Sequence, residues 1–130
     1  ITHDLGVIAE IADETLVMYA GRAVEKGPTK EVLTHPEMPY TWGLLSSVTR
    51  LDRLRTDRLK PIAGSPPSLI NVPSGCAFHP RCPYTEVPGR ERCAGEVPAL
   101  LESDAGHEVR CHIAPKERKR IFADQVKPTL

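Results

Sequence analysis

Apolar residues recur at helical spacing at Val7, Ile8, Ile11 and Ala12, which predicts a helix from Leu5 to Glu14 with one buried face. Asp4 is placed to cap it, because a carboxylate oxygen can accept from the free amides of a first helical turn. From Thr15 to Ala20 the pattern becomes that of a strand. Gly21-Arg22 then predicts a two-residue turn and Ala23–Lys26 the returning strand of a hairpin, glycine permitting the positive backbone angle such turns need. On this exposed hairpin Arg22 and Glu25 read as a solvated face. After Gly27-Pro28 come a short helix, Lys30–Thr34, a break at His35-Pro36-Glu37-Met38-Pro39, and a second helix, Tyr40–Val48. That helix carries Trp42, Leu44, Leu45 and Val48 at helical spacing, and Tyr40 and Trp42 are read as core.

Beyond Val48 the apolar density falls. Thr49–Lys60 alternates charges with sparse leucines at 51, 54 and 59 and reads as a charged linker with some helix. Pro66-Pro67 and Pro73 bracket an extended segment, Ser68–Val72, since residues before proline are pushed away from helical angles. Pro61–Ala63 and Val109–Ile113 are short enough to be paired edge strands, and the charge run Lys116–Arg120 opens a frayed helix or tail. The fold class expected is α+β. Residues 1–48 form a helix, a β-hairpin and short helices, 49–60 the linker, 61–115 a small irregular cysteine-rich module, and 116–130 a tail.

Composition sharpens the picture of the second half. The chain has two phenylalanines, three tyrosines and one tryptophan, and all four cysteines lie beyond residue 75. A proline-rich segment with so few large apolar groups needs a cross-link, either disulfides or a metal centre. Charge adds little: seventeen basic residues balance seventeen acidic ones, so no long-range field favours nucleic acid or an anionic membrane. No apolar run has the length of a membrane-spanning helix, and nothing at the start reads as a signal segment. Without an initiating methionine, Ile1 reads as an internal residue of a longer protein.

Five, ten and seventeen residues separate Cys76, Cys82, Cys93 and Cys111 in turn, so the two-residue knuckle of structural zinc is absent. Four thiolates at wide, irregular spacing suit an iron–sulfur cluster. Two disulfides are the structural alternative, and zinc is the less favoured metal. Arg81 can ease the cost of a thiolate or hydrogen-bond a sulfur, while Phe78, Pro80 and Pro83 shield one side. His79 and His112 adjoin cysteines and read as supporting or exposed groups, since four cysteines complete a ligand count. His35 and His107 sit in turn-like contexts with no assigned role.

The run from Ile1-Thr2-His3-Asp4-Leu5-Gly6 to Asp13, followed by Val17-Met18-Tyr19-Ala20-Gly21-Arg22 to Gly27, resembles the last part of an ABC-transporter ATP-binding domain, beginning at its switch-histidine loop. Pro39-Tyr40-Thr41-Trp42-Gly43-Leu44-Leu45, then Pro61–Ile70, then Gly75-Cys76-Ala77-Phe78-His79-Pro80-Arg81-Cys82-Pro83 resemble the C-terminal extension of the ATP-binding subunits of oligopeptide and dipeptide importers. The resemblance reaches about Ala114. It implies that His3 is the switch histidine, meeting the terminal phosphate of ATP and orienting the attacking water, a task suited to an imidazole that both donates and accepts near neutral pH. It further implies ATP and magnesium in the full-length parent, and a four-iron cluster on Cys76, Cys82, Cys93 and Cys111. The partners implied are transmembrane permease subunits and a second ATP-binding subunit, at the cytoplasmic face of the cell membrane.

The chain contains no Gly-rich loop ending in Lys-Ser or Lys-Thr, no Leu-Ser-Gly-Gly signature and no strand-ending acidic pair for magnesium. By itself it is therefore expected to have no ATPase activity, and an apolar patch of Val7, Ile8, Ile11, Val17 and Leu44 is expected to drive self-association or leave the first fifty residues loosely packed. The competing reading is an independent cysteine-rich metal-binding or redox module. Such a module has no use for a strand ending in Thr2-His3.

Overall fold

The computed structural model describes residues 5–53, 71–104 and 106–129. Helix α1, Leu5–Ile11, ends three residues before the expected Glu14. The reason lies in strand pairing: Glu14 opens β1, Glu14–Tyr19, opposite Pro28, and the Asp13 carbonyl accepts the Thr29 amide at 3.0 Å. β2, Arg22–Pro28, returns antiparallel to β1. The turn between them is Ala20-Gly21, with φ of 52° and 76°, one residue earlier than expected. Two successive positive angles match the twist of the flanking strands, which leaves Arg22 free to pair with Tyr19.

Helix α2, Thr29–Thr34, follows directly and is pinned to β1 by a buried 2.8 Å hydrogen bond between the Thr15 and Thr29 hydroxyls. Proline starts α3, Pro39–Arg53, where its missing amide costs nothing. α3 continues beyond Val48 into the stretch expected to be a linker. The remainder of that linker, the Pro61–Ala63 strand and most of the Ser68–Val72 segment lie outside the described residues, as do Asp4 and His3.

The cysteine-bearing half adds α4, Arg90–Gly95, β3, Leu101–Asp104, β4, His107–Val109, and α5, Pro115–Ile121. α5 runs on through one π-helical turn, Phe122–Val126, and a 3₁₀ turn, Lys127–Thr129. β4 lies earlier than the strand expected at Val109–Ile113. Its pairing stops where Arg110, whose amide still donates to the Val24 carbonyl at 2.8 Å, leads the chain away and Ile113 enters a separate apolar cluster. The sheet order is β1-β2-β4-β3, all pairs antiparallel, so both halves of the chain build one sheet. The architecture is α+β, as predicted.

Two apolar clusters hold these elements. Tyr19, Val24, Met38, Ala77, Phe78 and Val109 form one, and Trp42, Ile113, Ile121, Phe122 and Val126 the other. Cys111 packs against both. In the first, the Tyr19, Tyr40 and Phe78 rings sit 4.6–5.4 Å apart in tilted and edge-to-face contacts. In the second, the Trp42 indole stands edge-on to Tyr84 at 5.4 Å and donates its N–H to the Pro36 carbonyl at 2.7 Å. Tyr40 and Trp42 are therefore core residues. No helix among the described residues is long and apolar enough to cross a membrane.

Candidate functional site

Each cysteine is brought in by a different local device. Gly75 takes a positive φ of 64° and passes so close to the end of α4 that a β-carbon there would meet the Cys93 carbonyl oxygen at 2.3 Å. This approach lets the Cys76 amide donate to the Cys93 carbonyl at 2.8 Å, while Ser74 Oγ donates to the Ala94 carbonyl at 2.6 Å. Tight turns from Cys76 to His79 and from Phe78 to Arg81 then carry the chain to Cys82. Cys93 is buried on α4, and Cys111 follows β4.

The four side chains line one cavity, shared with Met38, Phe78, Tyr84 and Ile113. Its volume of about 10 Å³ is room for about one water molecule. Burial pushes the Cys82 thiol up to about 12 and the Cys111 thiol to about 11, and it also raises Cys76 and Cys93. Mutual repulsion adds to this: a thiolate at Cys82 would face Cys111, Cys76 and Cys93. All four are free thiols, and neither of the two disulfides considered from the sequence is formed. Among the described residues no three His, Cys, Asp or Glu side chains are gathered closely enough to hold a metal ion. The iron–sulfur and zinc expectations thus meet a shared cavity of soft donors but not an assembled coordination set. In donor type the residues fit a thiolate-held group: four cysteines line one apolar space.

Arg81 donates to the Tyr19 hydroxyl at 3.3 Å and lies over its ring. The arginine that offsets charge at Cys111 is Arg118. His79 Nδ1 donates to the Cys76 carbonyl at 2.8 Å and His112 Nε2 to the Glu96 carbonyl at 2.6 Å, so both rings brace the cysteine segments through their backbone.

Beside this cavity lies a group that the sequence reading missed. Glu25, expected on a solvated face, is fully buried, and Glu37, His107 and Arg118 are buried beside it. Both Glu25 carboxylate oxygens accept backbone amides, from Glu37 at 2.9 Å and Met38 at 3.1 Å. Its Oε2 also lies 2.5 Å from His107 Nε2. The other imidazole nitrogen faces Glu37 at 3.6 Å, and Glu37 Oε1 accepts from Ser103 Oγ at 2.7 Å and from Arg118 Nε at 3.4 Å. The hydrogen bond to Glu25 outweighs burial and raises the His107 pKa above its ordinary value, with the charges of Glu25, Glu37 and Asp104 acting in the same direction.

A β-hairpin carrying a cysteine-bearing extension through a shared sheet defines this chain structurally, and sequence comparison places it. Residues 24–88, half of the chain, match the oligopeptide/dipeptide transporter C-terminal region, and the chain belongs to that family. It is 49% identical over 111 residues to the oligopeptide transport ATP-binding protein OppD of Mycobacterium tuberculosis, covering 85% of this chain and 18% of the relative. It is also 42% identical over 118 residues to the dipeptide transport ATP-binding protein DppD of Caldanaerobacter subterraneus, covering 91% of this chain and 35% of the relative. DppF of Haemophilus influenzae, a dipeptide transport ATP-binding protein, is 45% identical over 112 residues, covering 85% and 33%. The chain thus spans about a third or less of these curated relatives.

Proposed function

We propose that this chain is the C-terminal part of the ATP-binding subunit of a peptide importer, acting in a protein that couples ATP hydrolysis to uptake of oligopeptides or dipeptides. The similarity to three peptide-transport ATP-binding proteins over most of the chain carries this reading. The phosphate-binding and signature motifs absent from these 130 residues would then be supplied elsewhere in the intact protein. His3 would contribute the switch imidazole, acting on the terminal phosphate and the attacking water. The protein would work at the cytoplasmic face of the membrane, held there by permease subunits and paired with a second ATP-binding subunit.

The test is His3→Ala in the intact protein. Hydrolysis should fall by about 10²-fold or more while nucleotide affinity stays near wild type, because the residue acts where charge develops and not on base or ribose. Turnover near wild type would remove His3 from the mechanism.

For the extension, the reading is that Cys76, Cys82, Cys93 and Cys111 together hold a four-iron cluster, with zinc as the second choice and a stabilising or regulatory role for the module. Supporting it are four soft donors on one apolar cavity and the absence of disulfides between them. Such a group would supply a cross-link that a segment poor in large apolar side chains lacks. The chain's part is to present the sulfurs, with Arg118 favouring the Cys111 thiolate and the His79 and His112 bonds fixing the backbone on either side. Protein purified without air should be brown and contain about four irons per chain. Colourless protein with stoichiometric zinc selects the second choice, and metal-free protein under both conditions removes the proposal.

A further inference from the structure

Four segments each send one ionisable side chain into the same buried spot: Glu25 from β2, Glu37 from the turn before α3, His107 from β4 and Arg118 from α5. Removing charges from water is costly unless they are balanced and hydrogen-bonded. Two carboxylates face one guanidinium here, so the group is one positive charge short unless His107 is an imidazolium. With that proton the four charges cancel. Among the described residues, the surroundings do not supply the missing charge by another route. From β3, Ser103 is neutral and Asp104 adds a negative charge whose own partner is the exposed Lys119 of α5, at 2.9 Å. Glu25 cannot swing away cheaply either, since both its oxygens are held by backbone amides. Gly27 lets the chain entering β4 approach, as a β-carbon there would sit 3.3 Å from the Gly106 carbonyl oxygen.

We propose that Glu25, Glu37, His107 and Arg118 form a proton-operated latch that clamps β4 and α5 onto β2 and the start of α3. When His107 is an imidazolium the latch is closed. Loss of the proton strands one negative charge among buried groups and releases the C-terminal segment. The consequence reaches the cysteines, because Arg118 also donates to the Cys111 and Ile113 carbonyls, at 3.4 and 2.7 Å. Opening the latch frees the segment bearing Cys111 from the other three cysteines, so assembly of the cysteine cavity depends on pH whether or not a metal binds.

A group whose folded pKa lies above its unfolded value contributes stability fully present below the ordinary histidine value of about 6.5 and lost as pH rises through the folded pKa. The test uses the 130-residue chain, following the His107 imidazole by NMR and amide exchange across residues 107–121 from about pH 6 to about pH 9. Expected is a His107 titration above the ordinary value. Above that point, protection of residues 107–121, corrected for intrinsic exchange, should fall by up to about tenfold per pH unit, while the β1–β2 hairpin changes less. His107→Gln should show weak protection of this segment already at low pH and little pH dependence. Glu37→Gln removes one negative charge, so that a neutral His107 completes the balance, and it should keep protection at alkaline pH that the wild type loses. Titration of His107 at or below the ordinary value, or protection unchanged through its titration, overturns the latch. Should His107→Gln fail to fold, the wild-type titration and the Glu37→Gln profile still decide.

Discussion

The Cys76 amide donates to the Cys93 carbonyl at 2.8 Å, and the residue before it, Gly75, packs directly against the Cys93–Ala94 backbone. A side chain at 75 meets two obstacles at once: a left-handed φ of 64° and backbone atoms of Cys93 and Ala94 within 2.3–2.9 Å of the new carbon. Neither obstacle is a flexible side-chain tip. Gly75→Ala should therefore cost about 3 kcal/mol, measured by urea unfolding, with loss of amide protection around Cys76. Gly95→Ala is the matched control, since a β-carbon there meets nothing within 4 Å and alanine favours the helix. Equal effects from the two substitutions would show that the Gly75 approach is not what holds the cysteine segments together.

Thiol reactivity offers a second check. The thiolate is the reactive form, and with its pKa pushed up to about 12 Cys82 offers very little of it near neutrality. In metal-free folded protein at about pH 8, iodoacetamide should modify Cys82 more than about a hundredfold slower than the same residue in denaturant. The direction also sets a pH trend. Thiols held protonated by the fold give stability that is complete below the ordinary range of about 8.5 and declines as pH rises toward about 11 and 12 for Cys111 and Cys82. Any metal that binds these sulfurs must displace their protons, so its apparent affinity should rise with pH. Rapid modification of folded Cys82 would contradict the burial that underlies all three expectations.

The single tryptophan reports on the other cluster. Trp42 stacks near Phe122 at 6.4 Å and is buried against Ile113, Ile121 and Val126. Phe122→Ala removes the largest side chain that the C-terminal turn contributes, and should destabilise by about 3 kcal/mol and shift Trp42 emission to the red. Unchanged emission together with unchanged stability would mean that the C-terminal turn does not dock on α3 in solution.

Much of this was legible from spacing alone. The hairpin and the short helix after Gly27-Pro28 rest on contacts within about twenty residues, where periodicity and turn chemistry decide, and apolar spacing marked Trp42 as core although its apolar partners lie far along the chain. Glu25 was misread because a charged residue beside Val24 on a hairpin has, locally, only water to face. Its actual partner, His107, is eighty-two residues away, on a strand that adds to the free edge of β2. The same long-range pairing moved β4 from the expected Val109–Ile113 to His107–Val109, since the strand begins where the imidazole reaches Glu25. The cysteines show the converse: composition suggested that they meet, and they line one cavity, yet spacing could not say how near their sulfurs come.

Among the described residues β1 is an edge strand, and its Leu16 and Met18 are 48% and 56% exposed, alternating with the buried Thr15 and the partly buried Val17. On α1, Val7 and Ile11 are exposed as well, at 41% and 77%. The patch expected from the sequence comprised Val7, Ile8, Ile11, Val17 and Leu44. In the structure Val17 packs against the Tyr19 cluster and Ile8 and Leu44 are half-buried, so the exposed apolar residues are Val7 and Ile11 with Leu16 and Met18. An edge strand with apolar side chains can pair with a second copy through both its free backbone groups and its exposed face. The 130-residue chain should accordingly self-associate as its concentration rises, read by sedimentation velocity. The double substitution Leu16→Glu and Met18→Lys should shift it toward monomer while changing stability by about 0.5 kcal/mol or less per site, because neither side chain is buried. Wild-type protein that stays monomeric at high concentration would sink this prediction. Variant protein that associates as strongly as wild type would instead move the contact away from β1.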